Sequence, residues 1–316
     1  MSWLRCGYRF RRSRLVTLFL FSAVLLVLCG LLLAQQPKQK TIASAEDASQ
    51  ALFSAAQADD HAAMLDIFGP AGNEIISSGD PVQDKNTLDQ FVAEYKEMHR
   101  VAPEPDGTTT LFVGADNWPL PVPLVQAGGL WHFDSETGKR DILLRRIGQN
   151  EFAATDVCSA LVSAQNDYYS QPRDGKPQQY AQLFVSNEGQ HNGLFWKVAD
   201  GEPESPIGPL VAYAAGVGYK PQPDDEHSPF HGYYYRILTG QDQSAQGGSK
   251  SYIVNGAMTG GFAILAYPAE YRSSGVMTFI VNQTGVIYQK DLGLNTAELA
   301  SVMKGYAPDE SWTKAE

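Results

Sequence analysis

Hydrophobic positions along this chain change their period several times. From residue 15 to residue 34 they are nearly continuous, LVTLFLFSAVLLVLCGLLLA, with no charge in 20 residues. A polar tether, 35–42, separates this run from three helical patterns. The first opens on a capping-box start at Ser44 and Asp47 and repeats Ala48, Ala51, Leu52 and Ala55. The second follows Asp59 and Asp60 and places Met64, Leu65 and Phe68 on one side before Gly69 and Pro70 stop it. A third, opening near Asn86 and Thr87, carries Leu88, Phe91, Val92 and Tyr95.

The pattern then shortens to strand-like runs at 108–113, 118–125 and 130–133. Pro119, Pro121 and Pro123 alternate in the middle run, which fits an edge strand or an extended arm. Helical spacing returns at 135–147, Gly148 is expected to break it, and a second helix at 151–169 puts Phe152, Val157, Ala160, Leu161 and Ala164 on its apolar side. Residues 170–205 are polar and rich in Gly, Pro, Asn and Asp, and read as a long irregular excursion. A short helix is expected at 207–217, an acidic loop with prolines at 221–229, a strand at 232–239 and a Gln-, Gly- and Ser-rich loop at 241–250.

Strand and turn signals are most regular at 259–293. An apolar run at 262–267 ends at Pro268, residues 276–281 alternate Val, Thr, Ile with Met, Phe, Val, and 286–289 follows a turn at 282–285. This is an antiparallel meander joined by the 232–239 strand. It needs a cover for one face, and the 151–169 helix is expected to supply it. A closing helix is expected at 295–304. The fold class is therefore α+β. Residues 43–134 form a small domain of helices with an antiparallel sheet, 135–293 a second domain with a helix on the meander, and 294–316 a C-terminal helix and tail.

Charge adds location. Five of the 24 basic residues (Arg5, Arg9, Arg11, Arg12 and Arg14) precede the apolar run, and no acid does. A basic flank before such a run is an export signal, and 20 apolar residues suffice either as a signal peptide or as a membrane anchor. Beyond residue 34 there remain 19 basic residues against 35 acidic ones, a net charge near −16. Such a surface repels nucleic acid and anionic lipid headgroups. The expected location is the periplasm or cell envelope, with the inner membrane engaged through 15–34 if that segment is not cleaved. Cys158 is the one cysteine beyond the apolar run, so no internal disulfide staples this part.

Candidate chemistry is sparse. Asp224, Asp225, Glu226, His227 and His231 place three carboxylates and two imidazoles in eight residues, a set able to bind a divalent metal. The plainer reading is a solvated acidic loop. Arg173-Asp174-Gly175-Lys176 lacks the alternating acids of a calcium loop and reads as a polar turn. Cys158 falls within a helical pattern, where a packed, inert thiol is the default. No Gly-x-Ser-x-Gly elbow, P-loop or paired-glycine nucleotide fingerprint occurs. No cofactor is implied. Two aromatic sets remain as ligand-binding candidates: Phe91, Tyr95, Phe112 and Trp131 around a pocket in the first domain, and Tyr233 with Tyr235 on one face of their strand, with burial against the 151–169 helix as the alternative.

Several stretches carry a family resemblance: 150–170 (NEFAATDVCSALVSAQNDYYS), 201–215 (GEPESPIGPLVAYAA), 230–241 (FHGYYYRILTGQ), 260–293 and ISSGDPV at 76–82. Together these resemble the bacterial exported family known as domain of unknown function 2950. The resemblance implies an exported envelope protein and no established activity. The order of the first domain is similar to the nuclear-transport-factor-2-like cone fold, and the layout of the second resembles the globular part of type IV pilins and pseudopilins. Together these readings point to an envelope binding or scaffold module acting on a protein or a small ligand. The alternatives are a small-molecule binder using the first-domain pocket, a component associated with a secretion or pilus apparatus, and a hydrolase using His227 and His231.

Overall fold

The computed structural model describes residues 39–199, 203–219 and 228–315. The 15–34 run and four members of the acidic His-containing loop, Asp224, Asp225, Glu226 and His227, lie outside the described residues. Among the described residues no helix is long and apolar enough to cross a membrane.

Side-chain caps set the first helices. Ser44 Oγ accepts from the Asp47 N–H at 3.0 Å and opens α1 (Ala45–Gln57), and Asp60 accepts from the Ala63 N–H at 2.9 Å and opens α2 (His61–Phe68). A 3-10 turn (Gly69–Ala71) leads into α3 (Gly72–Ile76). The next helix, α4 (Pro81–Glu97), starts earlier than the hydrophobic period predicts, because Asp80 caps it and Pro81 occupies its first position. Five strands follow: β1 (His99–Pro103), β2 (Thr109–Val113), β3 (Trp118–Pro119), β4 (Leu124–Ala127) and β5 (Leu130–Phe133). They form an antiparallel sheet in the order β1-β2-β4-β5, with β3 also on β2. Ala48, Leu52, Met64, Ile67 and Phe68 pack with Leu124 and Phe133 into the first core. The end of the polar tether belongs to this unit. Ile42 exchanges backbone hydrogen bonds with Trp131 at 2.8 and 2.7 Å, and Gln39 Nε2 donates to the carbonyls of Ile67 and Phe133.

The largest departure from the sequence pattern is α5 (Ser135–Tyr169), 35 unbroken residues where a break at Gly148 is expected. At 1.5 Å per residue it is about 50 Å long. Gly148 is exposed and meets nothing, and one helical glycine costs only about 1 kcal/mol relative to alanine. Contacts around it outweigh that. The Arg146 guanidinium donates to the carbonyls of Glu74, Ile75 and Ser77, Asn150 Nδ2 donates to the Ser274 carbonyl at 2.9 Å, and Glu151 Oε1 accepts from the N–H groups of Val276 and Met277, each at 2.9 Å. The N-terminal half of α5 lies on the first core, where Gly138 allows contact: a Cβ there would sit 2.6 Å from Val122 Cα. Its C-terminal half covers the second sheet, as the sequence pattern predicts.

After α5 the chain forms a short parallel pair, β6 (Leu183–Val185) with β7 (Gly193–Phe195), and then α6 (Gly208–Gly216). Strand β8 (Tyr233–Leu238) enters the second sheet, and two small ribbons follow, β9 (Gly240–Gln241) with β10 (Lys250–Ser251) and β11 (Ile253–Val254) with β12 (Ala257–Met258). The predicted meander is β13 (Ala263–Pro268), β14 (Met277–Asn282) and β15 (Ile287–Asp291), with β8 antiparallel to β13. Helix α7 (Thr296–Val302) packs on β13, and β16 (Thr313–Lys314) completes the order β16-β15-β14-β13-β8. The C-terminal segment thus belongs to this unit, with Ala300, Tyr306 and Trp312 in its core. Arg236 donates to the carbonyls of Ala300, Ser301 and Met303, a cationic cap on the end of α7. The protein is α+β with antiparallel main sheets.

Candidate functional site

The stretch that reads as irregular, together with the β11–β12 ribbon, builds an open cleft of about 690 Å³. One buried amide fixes its base. Gln165 on α5 is fully buried; its Nε2 donates to the Ala181 carbonyl and its Oε1 accepts from the Ala181 N–H, both at 2.9 Å. A side chain here does the work of a neighbouring strand. Next to it the Tyr180 N–H donates to the Met258 carbonyl at 2.8 Å, and the Tyr180 ring packs against Tyr169 and Phe262 at 4.5 and 4.8 Å.

Two tight turns form the lips. Asp174 and Gly175 have φ of 50° and 71°, and Asn255 and Gly256 have φ of 51° and 81°. Both pairs occupy the left-handed region at successive positions, the two-residue hairpin geometry that Asp-Gly and Asn-Gly favour. Arg173-Asp174-Gly175-Lys176 is accordingly a turn, closed by the Lys176 N–H to the Arg173 carbonyl at 2.9 Å.

A connected charged group sits against this turn. Asp174 accepts from the His191 backbone N–H at 2.6 Å and from His191 Nδ1 at 2.7 Å. These bonds, the backbone one first, hold its carboxyl below the usual carboxylate range. The His191 ring meets the Trp196 ring edge-on at 4.8 Å, and the Tyr168 hydroxyl donates to the His191 carbonyl at 2.7 Å. Arg173 completes the group: its guanidinium carbon lies 5.0 Å from the Tyr168 ring centre and 4.9 Å from that of Trp196. Yet the Arg173 side chain makes no hydrogen bond or ion pair among the described residues, and its Nε is buried without a partner. Since Asp174 is committed to His191, the cleft holds an oriented cation with open donors. Such a group has the donors to pair with an anion or a strong acceptor.

The aromatic residues expected to line a first-domain pocket do not converge. Tyr95 is buried, stacked on Phe53 at 4.4 Å and His99 at 3.9 Å, with its hydroxyl paired to Ser49 Oγ at 3.0 Å. Phe91 packs beside it at 5.9 Å. Phe112 alternates with buried Leu111 and Val113, so it faces away from Tyr95 and lies under Arg100 at 4.0 Å. Trp131 is half-buried against the first core. In the second sheet Tyr233 is fully buried and donates to the Met277 carbonyl at 2.9 Å, and Tyr235 is half-buried against the same core with its hydroxyl 3.4 Å from the Phe230 carbonyl. Core packing has taken the face that Tyr233 and Tyr235 share.

His231 falls at a second polar centre, where the two halves meet. Asp80 is fully buried: Oδ1 accepts from the N–H groups of Val82 and Gln83, and Oδ2 accepts from the Tyr219 hydroxyl at 2.7 Å and the Gly232 N–H at 3.0 Å. His231 lies beside this carboxylate in the left-handed region (φ 51°), its ring against Phe230 at 4.3 Å, and burial pushes its imidazole pKa down. Among the described residues no group of three or more His, Cys, Asp or Glu side chains is arranged to hold a metal. Cys158 is fully buried and its thiol is pushed up to about 12, so it is protonated at neutral pH.

A family model described as Protein of unknown function (DUF2950) matches residues 39–315. The chain belongs to this family. No curated protein and no solved structure matches it, so the likenesses to the cone fold and to pilins find no support. Within this DUF2950 chain, Asn255-Gly256 is a hairpin signal in the sequence that locates one lip of the cleft. Asp80-Pro81, a cap followed by proline, likewise marks the start of α4. No local pattern marks Trp196 as a neighbour of Arg173, 23 residues earlier.

Proposed function

We propose that this protein is exported to the cell envelope, is held at the inner membrane through residues 15–34, and acts there as a binding module rather than an enzyme. One observation carries the reading: the open cleft presents Arg173 oriented by two rings and without a partner among the described residues. Polar groups convergent in a concave site suit recognition. Against catalysis by a cysteine nucleophile stands Cys158, buried and protonated. The basic flank, the apolar run and the acidic remainder support export. The partner is an envelope protein or a small ligand.

Thermal melts of the full chain in detergent, alone and against envelope metabolites, glycans, calcium, zinc and a chelator, test this reading. A ligand at a hundredfold its Kd stabilises by about 2.7 kcal/mol. A saturable upward shift is the expected result, with the chain in the membrane fraction of its cells. Recovery in the cytosol with a flat response across the panel overturns the reading.

A further inference from the structure

We propose that the cleft takes an acidic saccharide and that Arg173 is the subsite for the carboxylate of one of its sugar units. The proposal rests on the binding-module reading and names its ligand class. Cation–π contact with Tyr168 and Trp196 fixes the guanidinium, so little freedom is lost when a ligand arrives. Its N–H donors form a planar fork that matches a carboxylate bidentately.

Charge at this subsite suits one singly charged group. At the cleft two cationic side chains, Arg173 and Lys176, stand against one carboxylate, Asp174, which His191 holds, an excess of one positive charge among these three. The rest of the exported part is strongly acidic, near −16 overall. A dianionic phosphate would be half neutralised there, whereas a carboxylate is matched. The remaining walls fit a sugar: Gln179 and Asn255 bring amides, and Leu183 and Val254 stand 39% and 49% exposed at the edge. Amide groups serve hydroxyls, and apolar side chains and rings serve the C–H faces of a pyranose.

The test is isothermal titration calorimetry on the full chain with trigalacturonate, the same trisaccharide with its carboxyl groups reduced, inorganic phosphate, and a neutral-side-chain tripeptide with a free C-terminus. Trigalacturonate is expected to bind, and the reduced form to bind at least about tenfold more weakly, the worth of a charged hydrogen-bonded pair. Arg173→Gln should lose a similar factor, and Arg173→Lys should recover part of it. Arg145→Gln, on an exposed face of α5 paired to Asp141, should leave binding unchanged. Melts of each variant separate lost binding from lost fold.

Equal affinity for the reduced trisaccharide, or unchanged affinity in Arg173→Gln, overturns the carboxylate subsite and leaves the binding-module reading standing. Tighter binding of phosphate or of the tripeptide than of trigalacturonate overturns the saccharide assignment. No saturable binding of any of the four overturns the saccharide proposal alone; the wider melt panel decides the reading beneath it.

Discussion

Arg146 and Arg173 sit 27 residues apart in the chain and meet opposite fates. At the junction of the two units Arg146 and Asp80 are committed to partners within the chain. Arg146 donates to three backbone carbonyls, burial pushes its pKa down, Asp80 accepts four hydrogen bonds, and Asn150 bridges Gln83 to Ser274. At the cleft Arg173 is held by rings alone. A buried polar group must be satisfied by its own chain, because desolvation without a partner is costly. One at the rim of an open cleft can wait for a partner from outside. The junction therefore reads as structure, and the cleft is the site proposed for recognition.

Substitutions can break this comparison, and the largest effect is expected at Asp80. Asp80→Ala removes a helix cap and strands the donors of Gly232 and Tyr219, and should cost about 3–5 kcal/mol in urea denaturation. A loss below 1 kcal/mol would show that water takes over there. Next come the two arginines. Arg146→Ala is expected to cost about 3 kcal/mol through charged hydrogen bonds, and Arg173→Ala about 1 kcal/mol through lost ring contact. Equal losses would erase the distinction between the two sites.

Between the two arginines falls the supporting shell. Gln165→Leu should cost about 2 kcal/mol by leaving both backbone groups of Ala181 unpaired, and should weaken ligand binding with Arg173 in place. Calorimetry on this variant separates cleft shape from cleft charge. The least effect is that of acid. The carboxyl of Asp174 is held below its ordinary range in the fold, so its stabilisation is present above that range and fades as pH falls through the lowered value. Hydrogen exchange at the His191 amide, corrected for intrinsic rate, should show protection lost on that acid limb; protection independent of pH would remove Asp174 as the anchor of the turn.

Much of the scaffold was legible beforehand. Strands β13, β14 and β15 and their helical cover follow from period and turn residues, since alternation and apolar faces are local properties of the chain. Reading Gly148 as a break fails because helix propensity is weak beside the contacts of Arg146, Asn150 and Glu151, made to residues distant in sequence. The aromatic pocket fails for a related reason: spacing gives the face a residue lies on within its own strand or helix, and Phe112 and Tyr95 come from different elements.

By itself the sequence determined that this chain carries an apolar, basic-flanked N-terminal segment, an acidic remainder, an α+β course of elements, a thiol inside a helix and an Asp-Gly turn. Each depends on neighbours a few positions away. Only the tertiary structure decided that one helix spans both cores, that Asp80 is sealed at their junction, and that Arg173 lies over Tyr168 and Trp196 with its donors open. Whether a polar group is spent or available depends on what the rest of the chain brings to it, and that is settled by packing across long sequence separations.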